Sequence, residues 1–283
     1  MSAVRKKHRG KILYALCRAD DVRPNHSVRG LESAPVYAID QCGIRAIVSD
    51  TLSTRLRPDR NNIGAHQRVL KSLTTDTTVL PMRFGVLARD AGAVEKLLAT
   101  NIDTINEHFE RLNGRVEMGL RVSWDVTNIY EHFVALHPTL AAGRDQIWSQ
   151  HSGSSARREE KIQLGNMYEA LRTADRLDAA EKVKEILFDY CDDIVENPVK
   201  REKDVINLAC LIERSRLDEF VNGVFEASKA FDNSYIFDYT GPWAPHNFID
   251  LDLHAPTKSK KALTNNSAAS ELDKDDSLEA DDK

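Results

Sequence analysis

The chain has 283 residues, of which 41% are apolar and 29% charged, proportions that are ordinary for a globular protein with a sizeable core. Its formal net charge of -5 gives no overall positive field that would favour nucleic acid or an anionic membrane. No apolar run is long enough to span a membrane, and no apolar stretch follows the basic residues of the N-terminus as in a signal peptide. We therefore expect a cytoplasmic protein, with its four scattered cysteines reduced and mostly buried.

The first predicted elements are three strands. Lys11 to Arg18 is a short apolar run, and residues 36–40 and 44–49 flank a turn at 41–43 as the arms of a hairpin would. A helix follows, with Asn62 as its expected N-cap.

Residues 77–84 then return to strand-like chemistry, in which Pro81 marks an edge or a bulge because proline has no N–H to donate. The next segment predicts one helix that Asp90 can cap and that Asn113-Gly114 ends, with an apolar stripe along its whole length. We expect this helix to pack along a sheet.

The second half opens with strict alternation over residues 116–124, which predicts a strand with one buried face. Helical spacing follows in three places, with an irregular polar stretch at 143–153 between the first and the second: residues 126–134, 154–172 and 183–190.

Residues 205–213 are apolar on both faces and predict a central strand, although a short buried helix has the same pattern. Ser215 and Asp218 resemble a capping box, and the helix they open has Phe225 on its predicted apolar face. Residues 234–240 alternate again as a strand that Gly241-Pro242 should end.

This order of elements predicts an α+β protein with two sheet-plus-helix domains, the C-terminal one ferredoxin-like with extra helices. The expected boundaries place a basic leader at 1–10, the N-terminal domain at 11–113, the C-terminal domain at 114–254 and an acidic tail at 255–283. We expect the tail to be disordered because it has almost no large apolar residue with which to offset its ordering entropy.

Catalytic and cofactor signatures are weak throughout. Neither glycine-rich phosphate loop occurs, no nucleophile elbow is present, and His132 and His137 are too far apart to share one helical face. The acidic cluster Asp189, Asp192 and Asp193 fits a solvated helix end better than a cation site. We predict no cofactor, no metal and no small-molecule substrate.

His66 is the one histidine on the apolar side of a predicted helix. A histidine there is usually a core residue whose ring nitrogens bind backbone groups, and this interpretation is favoured. The alternative is a general acid or base, or a ligand, and it stays open.

Three stretches of the sequence together resemble the motifs of a known protein family. Residues 65–70 lead into Leu80-Pro81-Met82-Arg83-Phe84-Gly85, residues 114–122 form the second stretch, and residues 240–248 (TGPWAPHNF) the third. Together they resemble the gas vesicle protein F/L family, over about Lys11 to Leu253. The chain departs from the family pattern at Val86, Ala244 and His246, as a divergent member would.

The resemblance implies a non-catalytic accessory protein that is associated with the gas vesicle and helps to assemble it. Its expected partners are the hydrophobic gas vesicle shell protein and other gas vesicle accessory proteins. The motifs supply the candidate binding residues: His66, Leu80, Pro81, Arg83, Phe84, Gly85, Gly241, Pro242, Trp243 and Phe248.

Arg83 has two interpretations. As a charged residue in a predicted strand it should form an internal ion pair, with Glu117 as the proposed carboxylate, or else contact a protein partner. Two other functions are also weighed. One is a ferredoxin-like nucleic-acid-binding protein, suggested by the basic leader, although no aromatic-rich strand for base stacking is present. The other is a small acid–base enzyme that uses His66.

Overall fold

A computed structural model describes residues 10–21, 28–75, 77–149, 154–251 and 253. The predicted tail at 255–283, and the predicted leader apart from Gly10, lie outside the described residues. The described chain is a mixed α+β structure with two antiparallel sheets and seven α-helices.

The first sheet has five strands in the order β2-β3-β1-β4, with β5 also pairing with β1. The strands are β1 (Gly10–Arg18), β2 (Val36–Gln41), β3 (Ile44–Thr51), β4 (Leu80–Pro81) and β5 (Leu87–Ala88). The three predicted opening strands and the hairpin turn are confirmed. The strand predicted at 77–84 is only two residues long in the structure, because pairing with β1 involves only Leu80 and Pro81. Pro81 does lie at the edge of the sheet, where a missing N–H costs least.

Three helices accompany this sheet: α1 (Arg60–Leu73), α2 (Ala91–Thr100) and α3 (Ile102–Leu112). The expected N-cap at Asn62 is wrong by one turn. Asp59 caps α1, and its carboxylate accepts the N–H of Asn62 at 2.8 Å. Asp90 caps α2 as predicted, accepting the N–H of Ala93.

The helix predicted to run unbroken to Asn113 is two helices that meet at Asn101. This residue leaves helical geometry at φ -112° and ψ 19°, and its side-chain amide donates to the Leu97 carbonyl at 2.7 Å. The Leu97 carbonyl also accepts the backbone N–H of Asn101 at 3.2 Å, so the side-chain amide adds a second hydrogen bond at the end of α2. The predicted stop is confirmed, with Gly114 at φ +68°.

The second sheet is antiparallel, in the order β7-β8-β6-β9. Its strands are β6 (Arg115–Trp124), β7 (Asp193–Glu196), β8 (Asp204–Glu213) and β9 (Tyr235–Trp243). The prediction of β8 as an internal strand is confirmed, whereas the short β7 was not predicted. The prediction that Gly241-Pro242 ends the last strand is wrong: β9 continues to Trp243 past a cis Gly241–Pro242 bond, because the register shifts opposite residues 117–119.

Four helices belong to the second half: α4 (Ile129–Leu136), α5 (Pro138–Ser149), α6 (Ser154–Leu187) and α7 (Leu217–Lys229). The stretch expected to be irregular contains most of α5, which Pro138 opens at a position where proline is tolerated. The helices predicted at 154–172 and 183–190 are one helix of 34 residues, since no glycine or proline separates them.

The predicted capping box at Ser215 is absent, because residues 214–216 form a 3₁₀ turn and α7 begins without a side-chain cap. Phe225 is 61% exposed rather than on the buried face.

The layers stack as helix, sheet, helix, sheet, helix. α1 packs on one face of the first sheet, and α4, α6 and α7 pack on the outer face of the second. Between the sheets lies the pair α2 and α3, and in this middle layer Phe109 belongs to one cluster with Leu16 of β1 and Leu211 of β8. One hydrophobic layer therefore serves both sheets.

Polar contacts reinforce this join between the two halves. The Arg111 guanidinium at the end of α3 donates to the Phe248 carbonyl. Arg214, after β8, donates to the carbonyls of Thr75 and Thr77 at 3.0 and 3.3 Å, and the N–H of Gly114 donates to Thr78 Oγ1 at 2.9 Å.

The cysteines follow the prediction in most respects. Cys17 and Cys210 are buried, Cys191 is half-buried, and Cys42 in the β2–β3 turn is exposed. All four are free thiols, and burial raises the pKa of the Cys17 thiol to about 12.

Because one layer serves both sheets, Phe109→Ala should lower the free energy of unfolding by about 3 to 5 kcal/mol, the cost of emptying a buried phenylalanine site. Urea denaturation followed by circular dichroism should show one transition at a lower midpoint. Phe225→Ala removes the same side chain from an exposed site and is the matched control, with a change within about 0.5 kcal/mol. Separate transitions for the two sheets would contradict the shared layer.

Candidate functional site

Motif segments that are far apart in sequence meet on one side of the molecule. They are the segment 80–85, His66 of α1, and a closing segment at 241–251 that follows the end of the second sheet. We call this place the motif junction.

His66 lies inside the junction, with 2% of its surface exposed. Its Nε2 lies 3.1 Å from the Met82 carbonyl oxygen, and its ring packs against Tyr14 and edge-on against Phe84. Burial lowers the pKa of His66, so the ring is neutral and donates from Nε2. This is the predicted core histidine, which binds the motif segment to α1.

His246 approaches the same place from the closing segment. Burial, and to a smaller extent the neighbouring His66, lower the pKa of His246 to about 4. Among the described residues neither His246 Nε2 nor His66 Nδ1 has a hydrogen-bond partner. His246 also borders a cavity of about 50 Å³, whose other lining residues are Pro81, Met82, Arg83, Val86, Ile249 and Leu251.

Glu117 of β6 holds the closing segment in place. Its carboxylate accepts the backbone N–H of Asn247 at 2.8 Å and the Asn247 side-chain amide at 2.7 Å. Burial raises the pKa of Glu117, which is 7% exposed, and the two bonds from Asn247 oppose that rise.

The proposed ion pair between Arg83 and Glu117 is wrong. Arg83 is 81% exposed and pairs with Asp250 of the closing segment at 3.1 Å, while the carboxylate of Glu117 is bound by Asn247. A pair this exposed adds little to stability, so Arg83 remains available to solvent.

The end of β9 is packed tightly against β6. Gly241 has φ +135°, and a Cβ atom there would lie 2.6 Å from Met118 Sδ, so only glycine fits. Two residues later, Trp243 is 38% exposed, and its Nε1 lies 3.4 Å from Thr240 Oγ1.

The structure divides the ten predicted binding residues by exposure. The buried ones are His66, Leu80, Pro81 and Phe248. Phe84 is half-buried, and the exposed ones are Arg83, Gly85, Gly241, Pro242 and Trp243. Two residues that shape the junction, Glu117 and His246, were not predicted as part of a site. Glu117 lies on the predicted polar face of β6 with Arg121 and Ser123, so the alternation gave no signal that it is buried.

The acidic cluster is exposed and directly follows the end of α6, as the interpretation of a solvated helix end predicts. Asp189 lies in a 3₁₀ turn, Asp193 begins β7, and Asp192 pairs with Arg115 at 2.8 Å and with Arg216 at 3.9 Å. No group of three histidine, cysteine or carboxylate side chains suited to a metal ion occurs in the described ranges. The helices of the described chain contain no segment long and apolar enough to cross a bilayer.

Comparison with known proteins agrees with the resemblance of the motifs. The sequence model of the family described as gas vesicle synthesis protein GvpL/GvpF matches residues 10–250. The chain belongs to the GvpL/GvpF family.

Two relatives from Streptomyces sp. (strain CB03234) illustrate the similarity. Gas vesicle protein F is 28% identical over 216 residues, which cover 76% of this chain and 88% of that protein. Gas vesicle protein L is 30% identical over 205 residues, covering 67% of this chain and 70% of that protein. The fold is similar to the crystal structure of GvpF from Anabaena sp. PCC7120, with a TM-score of 0.70, 25% identity, and coverage of 85% and 98% of the two chains.

The two junction histidines predict that this family member loses stability in acid. Their pKa values in the folded state lie below the usual 6.5, so the unfolded chain binds protons first as the pH falls. The stability should be intact above pH 6.5 and lost progressively toward pH 4, by about 3 kcal/mol from His246. Urea unfolding midpoints measured across this range test the prediction.

His246→Gln should lose less stability over that range than the wild type, and His132→Gln on α4 is the control for replacing a histidine elsewhere. Glu117 acts in the opposite direction, since protonation of a carboxyl with a raised pKa favours the folded state. The comparison is therefore repeated in the Glu117→Gln background. If the unfolding midpoints of His246→Gln and the wild type fell in parallel as the pH was lowered, His246 would not be a source of the acid instability.

Proposed function

We propose that this protein is a non-catalytic accessory protein of gas vesicle formation, acting in the cytoplasm in association with the vesicle. The observation that carries the proposal is the family match across residues 10–250, nearly all of the described chain. The named relatives are gas vesicle proteins F and L.

The proposed partners are the hydrophobic gas vesicle shell protein and other gas vesicle accessory proteins. The motif junction is the proposed contact surface, with the buried residues His66, Leu80 and Phe248 positioning the exposed ones. Of the exposed residues, Trp243 offers an aromatic surface and Arg83 a charge, the two side-chain types most enriched at binding hot spots.

Two finer assignments belong to the same proposal. We infer that the second sheet with α6 and α7 is a ferredoxin-like unit, supported by the strand–helix–strand–strand–helix–strand sequence and the order β7-β8-β6-β9. We also infer a domain boundary at 113/114, since each sheet is built from one continuous stretch of chain on its side of that position.

The two rival functions fit the geometry less well. A general acid or base must reach its substrate, but His66 is 2% exposed and its pKa is lowered by burial. For nucleic acid, an open sheet face with stacked aromatics would be expected, but Trp124 of the central strand β6 is 1% exposed and donates its indole N–H to Asp175 at 3.2 Å.

Trp243→Ala tests the contact surface. We expect capture of co-expressed shell protein to fall about tenfold, the effect of truncating an interface tryptophan, with the free energy of unfolding changed by less than about 1 kcal/mol. Trp148→Ala on α5 is the matched control, because that tryptophan is 67% exposed and lies on another element. The readout is quantitative pull-down with the full chain as bait.

Equal capture by Trp243→Ala and Trp148→Ala would exclude Trp243 from the interface. Capture of neither shell protein nor accessory proteins by the wild-type chain would overturn the proposed partners. Arg83→Glu gives a second test, since it reverses an exposed charge while disturbing only the solvent-exposed pair with Asp250.

A further inference from the structure

A second surface, whose helical wall follows His66 on α1, has a strong charge of one sign. It is an open cleft of about 560 Å³ between residues 28–33 and α1. We call it the basic cleft, and it is lined by Val28, Arg29, Gly30, Ser33, Arg68, Lys71 and Ser72.

The cleft contains three cations and no carboxylate. Arg68 and Lys71 lie three residues apart on α1 and so project from neighbouring positions, while Arg29 faces them from the loop. All three are exposed, and within the described part of the chain none of them forms an ion pair or a side-chain hydrogen bond. The adjacent Glu32 is directed elsewhere, its carboxylate accepting the hydroxyls of Thr51 and Ser53.

The loop wall of the cleft is held in a fixed shape. Tyr14 is fully buried beneath it, accepts the N–H of Leu31 at 2.9 Å, and bonds Ser49 at 2.7 Å. Gly30 lies so close that a Cβ atom would be 2.2 Å from the Tyr14 hydroxyl. Glu32 and Ser33 have φ +54° and +55°, a conformation that costs energy for residues other than glycine and is often found at binding sites.

The donors available in the cleft determine which anion it suits. A phosphate nest uses several free backbone N–H groups, but those of Gly30, Leu31 and Ala34 already donate to Ala34 O, Tyr14 Oη and Leu31 O. The lining contains no aromatic ring on which a base could stack. The Ser72 hydroxyl already donates to the Val69 carbonyl at 2.7 Å. What remains is three cations on long side chains and the Ser33 hydroxyl, which match carboxylates spaced along a peptide better than one compact phosphate.

This chain itself contains a segment of that composition. Residues 271–283, which lie outside the described residues, have seven acidic side chains and two lysines. Seventeen residues lie between Leu253 and Glu271, and this length of chain can span up to ~60 Å when extended. A globular chain of this size has a radius of gyration of roughly 18 Å, so the acidic segment can reach the cleft.

We propose that the basic cleft binds a carboxylate-rich peptide, and that the acidic segment 271–283 of the same chain is its occupant. The segment then competes with any other polyanion for Arg29, Arg68 and Lys71. The proposal is independent of the gas vesicle role, because neither the cleft nor the segment includes a residue of the motif junction.

Carbodiimide cross-linking of the full-length protein tests the contact, because the reagent joins a lysine amine to a carboxyl only when the two are in contact. We expect peptide mapping by mass spectrometry to show Lys71 joined to a carboxyl of residues 271–282, with a yield that decreases as salt is added. Cross-links from the acidic segment only to Lys6 or Lys7 of the leader, or none to Lys71, would overturn the proposal.

Peptide binding to variants with reversed charges in the cleft is the second test of the proposal. One full-length variant has the seven acids of its own segment replaced by Asn and Gln, so that its cleft is free. A fluorescent peptide of residues 271–283 should bind this variant more tightly than it binds the wild type. Adding Arg68→Glu and Arg29→Glu should weaken that binding about tenfold, the scale of losing two exposed charge contacts. Arg55→Glu with Arg57→Glu, exposed residues just before α1, is the control and should leave binding unchanged.

Two further results would contradict the proposal. One is equal peptide affinity for the wild type and the acid-neutralised variant, which would mean that the native segment does not occupy the cleft. The other is cross-linking only between copies in a mixture of isotope-labelled and unlabelled protein, which would make a second copy the occupant. Displacement of the peptide by inorganic phosphate more effectively than by chloride at equal ionic strength would instead identify a phosphate site.

Discussion

The middle helical layer is the constraint on which the rest of the structure depends. α2 and α3 are covered by the first sheet on one side and by part of the second on the other, so the apolar residues of α3 are buried in two directions. Neither sheet could lose this layer without exposing a hydrophobic face to water. The burial of α3 therefore fixes the spacing of the sheets, and with it the position at which the closing segment returns to the first sheet.

The motif junction is a consequence of that geometry. The closing segment leaves β9, places Phe248 in the middle layer and brings Asn247 to Glu117 and Asp250 to Arg83. Residues separated by more than a hundred positions thus become neighbours because one aromatic side chain is buried. The motif segments of this chain that meet at the junction therefore join its two sheets.

The sequence predicted the elements whose signals are local and missed those that depend on distant partners. Asp90 was predicted as a cap because its bond is made three residues away, but the break at Asn101 was not, since the apolar stripe continues on both sides of it. For α1 the sequence analysis predicted Asn62 as the cap, whereas Asp59 caps the helix and accepts the N–H of Asn62 itself. At the site, the burial of His66 followed from its helical face, whereas the partner of Arg83 was mispredicted because Asp250 lies 167 residues away.

The exposed strand β9 influences how the molecule behaves at high concentration. The strand lies at the edge of its sheet and has a mostly exposed surface, the arrangement by which sheets of separate molecules add to one another and grow into filaments. Pro242 has no N–H to offer an incoming strand, and Asp238 places a negative charge in the exposed row. The open edge of the second sheet thus has two residues that oppose polymerisation of the protein through β9.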